Sequence, residues 1–184
     1  QRLSTQLEPD TLALNEAFTN EVFLQENGLT KETALTLFIP NTYEFYWNTS
    51  AKKIADKMAK EHKKFWTNER LEKAKALNMT PAQVYTLASI VHKETVKADE
   101  RPRVAGAYLN RINQDMPLQA DPTVIYAIKE TSGDFDQVIK RVGGSNLFVK
   151  SPYNTYINKG LPPGPIAMPD ISAIDAVLNA EKHD

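Results

Sequence analysis

Residues 80 to 97 read Thr-Pro-Ala-Gln-Val-Tyr-Thr-Leu-Ala-Ser-Ile-Val-His-Lys-Glu-Thr-Val-Lys, and this stretch predicts the central helix of the fold. Thr80 suits the N-cap, Pro81 suits the first helical position, and Gln83 completes a capping box. Apolar residues then recur at the spacing of one helical face. These residues are Val84, Leu87, Ile90 and Val91. We therefore expect a helix whose apolar stripe packs into the core.

Glu94 is the residue on this helix that needs an explanation. At about 100° per residue it falls between Leu87 and Ile90 on the apolar stripe, whereas His92 falls on roughly the opposite side. A carboxylate that faces a core is costly unless it is paired. Burial raises the pKa of a carboxyl group, and a raised pKa suits a general acid near neutral pH. Glu94 is therefore a candidate catalytic residue, and we expect His92 to lie at the surface.

A structural explanation of Glu94 stays open at this point. From the last turn of a helix the side chain can lean toward solvent, or it can pair with an arginine. Three arginines follow closely in the chain: Arg101, Arg103 and Arg111. Structural ion pairs shift the pKa of carboxylates, as catalytic sites do. The pattern alone therefore does not separate a catalytic role of Glu94 from a structural one.

The composition bounds the class of protein. The chain has 184 residues, 41% hydrophobic and 24% charged, which is ordinary for a globular domain with a small appendage. The net charge of −1 gives no argument for a nucleic-acid partner. No apolar run approaches the roughly 18 residues of a membrane span. We therefore expect membrane association only through an anchor that this chain does not contain.

The residue types exclude several chemistries. The absence of cysteine excludes disulfides, thiolate zinc sites and a cysteine nucleophile. The three histidines, His62, His92 and His183, are scattered and form no metal motif. The Gly-x-Ser-x-Gly motif of a serine hydrolase is also missing. We therefore expect no metal and no cofactor, and carboxylates remain as the candidates for catalysis.

An ordinary glycosidase needs two carboxylates, one on either side of the scissile bond. Asp99, Glu100 and Asp121 are candidates for the second, although Asp99 and Asp121 have the position of helix caps. A mechanism with one carboxylate avoids this need. If a hydroxyl of the sugar itself attacks, one residue can protonate the leaving oxygen and accept the proton of the nucleophile.

The rest of the chain predicts helices, one short strand and one long loop. Residues 1–38 are typical of short helices, and Thr36–Ile39 is the best strand candidate before Pro40. We expect Asp121 to cap a helix and Arg111 to act as an ion-pair partner. The segment Leu147–Met168 is irregular and rich in proline and glycine, which is typical of a functional loop. We therefore expect an α+β, mainly helical fold with a small sheet and a long Pro/Gly-rich loop.

Five motifs occur in order along the chain, and together they carry a family resemblance. They are Leu87-Ala88-Ser89-Ile90-Val91-His92-Lys93-Glu94-Thr95, Tyr108-Leu109-Asn110-Arg111, Leu118-Gln119-Ala120-Asp121-Pro122-Thr123-Val124, Ser151-Pro152-Tyr153-Asn154-Thr155-Tyr156 and Gly160-Leu161-Pro162-Pro163-Gly164-Pro165-Ile166. They closely resemble the YceG-like (MltG) family of endolytic murein transglycosylases. The stretch Phe38-Ile39-Pro40-Asn41-Thr42-Tyr43 is also similar to a family segment that carries Asp where this chain has Asn41.

The resemblance implies that Glu94 is the catalytic acid and base. It would cleave peptidoglycan between N-acetylmuramic acid and N-acetylglucosamine, leave a 1,6-anhydro-muramoyl end, and so limit the length of nascent glycan strands. Many members carry Glu two residues earlier, where this chain has His92. Because His92 points away from the apolar stripe, we assign the role to Glu94.

The same resemblance implies which residues contact the sugar. We expect Gln119, Asn154 and Thr155 to hydrogen-bond acetamido and hydroxyl groups, and Tyr153 or Tyr156 to stack on a sugar face. A structural role in fixing the loop is the alternative for each of these residues. A lysozyme-like hydrolase with a second carboxylate, or a non-catalytic murein-binding scaffold, are the alternatives for the whole protein.

The resemblance also implies an organisation and a place in the cell. Residues 1–38 would be a short helical lead-in, and residues 39–184 a YceG-like catalytic domain, truncated at both ends relative to its parent protein. The partners would be peptidoglycan glycan strands and, in addition, cell-wall synthases. The expected location is the extracytoplasmic face of the bacterial inner membrane.

Overall fold

The computed structural model describes residues 3–182, and helices account for all of the regular structure in this range. The α-helices are α1 (Thr11–Thr19), α2 (Glu21–Glu26), α3 (Ala51–Phe65), α4 (Asn68–Ala76), α5 (Pro81–Glu94), α6 (Arg101–Asn113), α7 (Asp121–Ser132) and α8 (Ile171–Leu178). Short 3-10 helices span Leu3–Thr5, Ala34–Leu37 and Gly144–Phe148. None of these described helices combines the length and the apolar character that crossing a membrane requires.

The predicted small sheet is wrong, because residues 3–182 contain no β-strand. The expected strand Thr36–Ile39 overlaps the 3-10 helix Ala34–Leu37. The Thr33 carbonyl accepts both the backbone N–H of Thr36 at 2.9 Å and its hydroxyl at 2.7 Å. A strand needs a neighbour for its backbone groups, and here local hydrogen bonds satisfy them instead. The mainly helical character is confirmed.

Helix α5 is the centre of the fold, as its sequence predicts. The capping box of Thr80 and Gln83 is present: the Thr80 hydroxyl accepts from the Gln83 N–H, and the Gln83 amide oxygen accepts from the Thr80 N–H. All residues from 84 to 91 are buried. Helices α4, α6, α7 and α8 pack around α5. This packing leaves only the two ends of α5 near the surface.

The buried apolar side chains form two clusters. The larger cluster surrounds α5. The smaller one joins α1 and α2 to α3, and it contains Leu14, Phe18, Leu24, Leu29, Leu37, Ile54, Ala55, Met58 and Ala59. The Tyr85 hydroxyl links the two by donating to the Phe38 carbonyl at 2.7 Å. Helix α3 thus packs with the lead-in residues, and the division of the chain after residue 38 stays a prediction.

The Pro/Gly-rich loop is held against both clusters. The buried Ser89 hydroxyl on α5 accepts the Ile166 N–H at 3.1 Å and donates to the Thr86 carbonyl at 2.6 Å. At the other side of the loop, a Cβ added to Gly164 would lie 2.0 Å from the Glu32 carbonyl oxygen. Only glycine allows this close approach of two backbones. The loop is therefore a fixed wall beside the end of α5.

Candidate active site

Glu94 is the last residue of α5, and its side chain is exposed. The Tyr108 hydroxyl on α6 donates to Glu94 Oε2 at 3.0 Å, while the Tyr108 ring is buried, with 9% of its surface exposed. Of the two possibilities left open by the sequence, the side chain that leans toward solvent from the last turn is the one observed, and the carboxylate is not buried against the core. The apolar stripe of α5 is covered as far as Val91, and the helix ends three residues later. The carboxylate therefore has one fixed donor and an open side.

Two of the three arginines near Glu94 in sequence, Arg101 and Arg111, bind other groups. Arg101 is buried and donates to Asp170 Oδ2 at 3.2 Å and to the Ser172 hydroxyl at 2.5 Å. Arg111 donates to the Leu118 carbonyl at 2.9 Å and to Gln119 Oε1 at 3.2 Å. Arg111 therefore stabilises the turn before α7, instead of acting as the ion-pair partner that we expected.

Gln119 lies in this turn with an unusual backbone conformation. Its φ angle is +53°, a region that residues other than glycine rarely occupy. Its N–H donates to the Thr155 carbonyl at 3.0 Å, and its side chain is exposed. Such conformations persist where the surroundings fix them, and they are common at functional sites. The Gln119 amide is thus held in place without being buried.

Asp121 and Tyr156 form the next wall of the site. The Tyr156 hydroxyl donates to Asp121 Oδ1 at 2.6 Å. The prediction that Asp121 caps a helix is wrong: α7 begins at Asp121 itself, and the N-cap is Ala120. The Ala120 N–H donates to the Thr155 hydroxyl at 3.1 Å. Thr155, which belongs to the Pro/Gly-rich loop, therefore fixes the backbone just before α7. The Asp121 carboxylate accepts the Tyr156 hydroxyl instead of capping the helix.

Charges tie these residues into one cluster. The pKa of Tyr156 is raised to about 12, first by the hydrogen bond to Asp121, then by burial and by the charges of Asp121 and Glu94. The pKa of Tyr108 is raised further, first by burial and then by the charge of Glu94 and the hydrogen bond to it. Both hydroxyls therefore remain protonated donors near neutral pH.

The charge of Arg111 opposes the rise in the pKa of both tyrosines, so Arg111 acts on the same two hydroxyls electrostatically. We refer to the residues that these contacts connect as the Glu94 cluster. Its members are Glu94, Tyr108, Arg111, Gln119, Asp121 and Tyr156.

The predicted sugar-binding segment divides into one accessible and three buried side chains. Tyr156 is half-buried and reaches the Glu94 cluster. Tyr153 is 7% exposed, with its ring 4.6 Å from that of Tyr126. Asn154 is 0% and Thr155 1% exposed. Because their surfaces are covered, the last three residues are placed to fix the loop, and their contact with a sugar stays a prediction.

Asn154 shows how this loop is fixed. Its Nδ2 donates to the carbonyls of Leu147 and Val149 at 3.0 and 2.9 Å, and its Oδ1 accepts the N–H of Tyr156 at 3.0 Å. A buried amide with every group engaged rigidifies its surroundings. Asn154 thus supports Tyr156 from behind.

His92 is half-buried between α6 and α8, so the expectation of a surface residue is wrong. Its Nδ1 lies 3.3 Å from Arg101 Nη2 and 3.5 Å from the Asp170 N–H nitrogen. Arg101 and the Asp170 N–H are donors toward Nδ1, and the Asp170 carboxylate oxygen Oδ2 also lies 3.3 Å from it. Burial is the main cause that lowers the pKa of His92, helped by Arg101 and Lys93 and opposed by Asp170. These contacts give His92 a structural position, away from Glu94.

The Glu94 cluster contains two carboxylates, each held by a tyrosine hydroxyl, together with an arginine and an exposed amide. Within residues 3–182, no three side chains of His, Asp or Glu are grouped closely enough to hold a metal ion, and His183 lies outside the described residues. Reasoning from the sequence missed the role of Tyr108, which it named only within a motif, although Val104, Tyr108 and Ile112 follow one another at helical spacing in an apolar stripe of α6. A tyrosine in such a stripe is a signal in itself, because a buried tyrosine hydroxyl usually finds a polar partner.

Comparisons with known proteins agree with these motifs. The model of the YceG-like family matches residues 2–184. The endolytic murein transglycosylase of Bacillus subtilis (strain 168) is 34% identical over 177 residues, which cover 96% of this chain and 44% of that protein. The endolytic murein transglycosylase of Streptococcus pneumoniae serotype 2 (strain D39 / NCTC 7466) is 33% identical over 145 residues, which cover 79% of this chain and 26% of that protein.

The fold has a solved counterpart. The crystal structure of a yceG-like protein from Listeria monocytogenes superimposes with a TM-score of 0.81 at 29% identity, covering 100% of this chain and 63% of that chain. The chain spans less than half the length of the curated relatives that it matches. The family match nevertheless extends over nearly all of its residues, and the chain belongs to the YceG-like family.

Proposed function

We propose that this chain is the catalytic part of an endolytic peptidoglycan lytic transglycosylase, with Glu94 as its single acid and base. The observation that carries the proposal is the exposed Glu94 carboxylate at the end of a buried helix, with one oxygen held by Tyr108. The names of the relatives from Bacillus and Streptococcus support the reaction class. The bond cleaved is the one between N-acetylmuramic acid and N-acetylglucosamine.

In the proposed reaction, Glu94 transfers a proton twice. Its protonated form gives the proton to the glycosidic oxygen while the bond from that oxygen to C1 of the muramoyl residue breaks. The resulting carboxylate then accepts the proton of the 6-hydroxyl as O6 forms a bond to C1. The products are a 1,6-anhydro-muramoyl end and a free 4-hydroxyl on the next sugar. No water is consumed, and Glu94 returns to its starting form.

The neighbours of Glu94 would position the carboxylate and the sugar. Tyr108 holds Oε2, which leaves Oε1 free to exchange the proton. Gln119 presents an exposed amide that Arg111 orients, and an amide can pair with an acetamido group. Tyr156 offers a half-buried ring whose hydroxyl is fixed by Asp121, which suits contact with a sugar face.

The wider setting follows from the same proposal. A reaction within glycan strands would shorten strands that cell-wall synthases extend, so synthases are the proposed partners. The proposed location is the extracytoplasmic face of the inner membrane, where murein is built. Both proposals concern the whole protein, of which this chain is a part.

A lysozyme-like hydrolase remains the second candidate, because the charges of Asp121 and Glu94 act on the same Tyr156 hydroxyl. In that case Asp121 would serve as the second carboxylate, and water would supply the oxygen at C1. Tyr156 holds one oxygen of Asp121 at 2.6 Å, as Tyr108 holds one oxygen of Glu94 at 3.0 Å, so the products must separate the two candidates.

Digestion of isolated peptidoglycan in ¹⁸O-labelled water separates these functions. We expect mass spectrometry to find new 1,6-anhydro-muramoyl ends without ¹⁸O. Free reducing ends that carry ¹⁸O would assign a hydrolase. Binding to murein with no release of fragments would assign a non-catalytic scaffold. Either of these results overturns the proposal.

A further inference from the structure

A groove lies at the end of α5 and the beginning of α7, the two places in the fold that also carry Glu94 and Asp121. It encloses about 340 Å³ and is lined by residues of α5, α7 and the segments that follow. Lys93 precedes Glu94 in the chain, and Pro122 follows Asp121. Consecutive Cα atoms are about 3.8 Å apart. The groove is therefore lined by the residue before Glu94 at the end of α5 and by the residue after Asp121 at the beginning of α7.

The groove combines an apolar interior with positive charge. Its interior includes Ile166 and the rings of Tyr126 and Phe135, whose centroids are 5.9 Å apart. The Lys129 ammonium donates to the Phe135 carbonyl at 3.0 Å, which holds Phe135 at the rim although 54% of its surface is exposed. Lys93 is exposed at the end next to Glu94. Two ammonium groups around an apolar interior fit a ligand with small side chains and carboxylates.

We propose that this groove binds the short peptide that the muramoyl residue of peptidoglycan carries on its lactyl group. The inference rests on the proposed function, which places the muramoyl C1 at Glu94. The lactyl group of that sugar then lies within a few atoms of the cleaved bond, so its peptide leaves the site toward a neighbouring groove. The peptide bears free carboxylates, which Lys93 and Lys129 attract, and methyl groups, which the rings of Tyr126 and Phe135 cover.

Binding of two matched ligands tests this proposal. One ligand is an uncrosslinked glycan strand with its peptides, and the other is the same strand after an amidase has removed them. Titrations use the Glu94→Gln chain, so that no turnover occurs. We expect the peptide-bearing strand to bind several-fold more tightly. Lys93→Gln should reduce this ratio about two- to fivefold, as expected for an exposed charge pair, and added salt should reduce it as well.

Two further variants complete the design. Phe135→Ala should also lower the ratio, because it removes the apolar rim. Lys75→Gln is the matched control: Lys75 is exposed on α4 and outside the groove, so the ratio should not change. Equal affinity for both ligands, or an equal loss for both in Lys93→Gln, would overturn the proposal. If the two strands bind with equal affinity, and if the chain forms a dimer that Phe135→Ala abolishes, the groove belongs to a second copy of the chain.

Failure of the proposed function gives a different result. If the unsubstituted chain releases no fragments from murein, the catalytic proposal fails, while the affinity ratio still decides whether the groove binds the peptide.

Discussion

Tyr108 contributes a buried ring to the core and a hydroxyl to the Glu94 carboxylate. Replacing it by Phe keeps the ring and removes the donor. Hydrogen bonds to charged groups are worth roughly 1.5–3 kcal/mol, so we expect murein cleavage by Tyr108→Phe to slow by about tenfold or more. The melting temperature should fall by only a few degrees, because the exposed Glu94 oxygen that loses the donor can bind water instead. Initial rates of anhydro-end formation measure the effect, and a rate equal to that of the unsubstituted chain would remove Tyr108 from the mechanism.

His92 is expected to act on stability and not on catalysis. His92→Ala removes the acceptor for Arg101 and for the Asp170 N–H, which we expect to cost about 1–2 kcal/mol of unfolding free energy. Cleavage at a temperature where the variant stays folded should remain close to normal. Urea unfolding and product analysis on one preparation test both parts. A loss of activity comparable to that of a Glu94 variant, without a loss of stability, would contradict this assignment.

Single residues were predictable where a local pattern decided them. Glu94 stands out because a carboxylate follows an apolar stripe, yet its exposure depends on where α5 ends relative to α6. The burial of Asn154 and Thr155 depends on partners far away in the chain: Thr155 Oγ1 lies 2.8 Å from Thr123 Oγ1. No pattern within the loop contains that information.

At the scale of one helix, His62 makes the stability of α3 sensitive to acid. Burial is the main cause that lowers its pKa to about 4, and Lys63 adds to the effect. Its Nε2 is buried without a hydrogen-bond partner among residues 3–182. The unfolded chain, with a histidine pKa near 6.5, binds the proton first as the pH falls. Stability is therefore complete above about pH 6.5 and is lost as the pH falls toward 4.

We expect this histidine to cost about 2 kcal/mol of unfolding free energy at pH 5 relative to pH 8. His62→Leu removes the titrating group, so its stability should fall less between these two values. Urea unfolding of both chains at pH 8 and pH 5 measures the difference. Equal losses in the two chains would show that His62 is not the acid-sensitive group. His92, whose pKa is also lowered, adds to the loss in both chains.

Helix α5 was predictable because its start is encoded locally by Thr80, Pro81 and Gln83. The expected strand at Thr36–Ile39 failed for the opposite reason. Its β-branched residues favour extended backbone, but only a neighbouring strand can stabilise it, and the helices of the smaller cluster leave none. The prediction that Asp121 caps α7 was wrong because its carboxylate accepts the hydroxyl of Tyr156, which lies 35 residues later in the chain.

At the scale of the whole molecule, Gly164 joins the Pro/Gly-rich loop to the N-terminal helices. A Cβ at this position would lie 2.0 Å from the Glu32 carbonyl oxygen, so Gly164→Ala must separate two backbones. We expect a loss of about 1–3 kcal/mol of unfolding free energy. Gly143→Ala is the control, because nothing lies within 4 Å of its added Cβ and its φ of 167° is extended.

Urea unfolding of the two alanine variants checks this prediction. The control should stay within about 0.5 kcal/mol of the unsubstituted chain. If Gly164→Ala were as stable as the unsubstituted chain, the loop would not be pressed against residues near Glu32. Because this loop forms one side of the site, a destabilised Gly164→Ala should also cleave murein more slowly.

The central claim is that Glu94 alone transfers the proton, and Glu94→Gln tests it most directly. The amide keeps the size of the side chain but cannot exchange a proton, and such groups typically contribute about 10²–10⁴-fold. Because the side chain is exposed, the unfolding free energy should stay within about 0.5 kcal/mol. We expect mass spectrometry of digested murein to find anhydro-muramoyl ends nearly absent, with strand binding retained. A folded variant that still forms these ends at a normal rate would contradict the account.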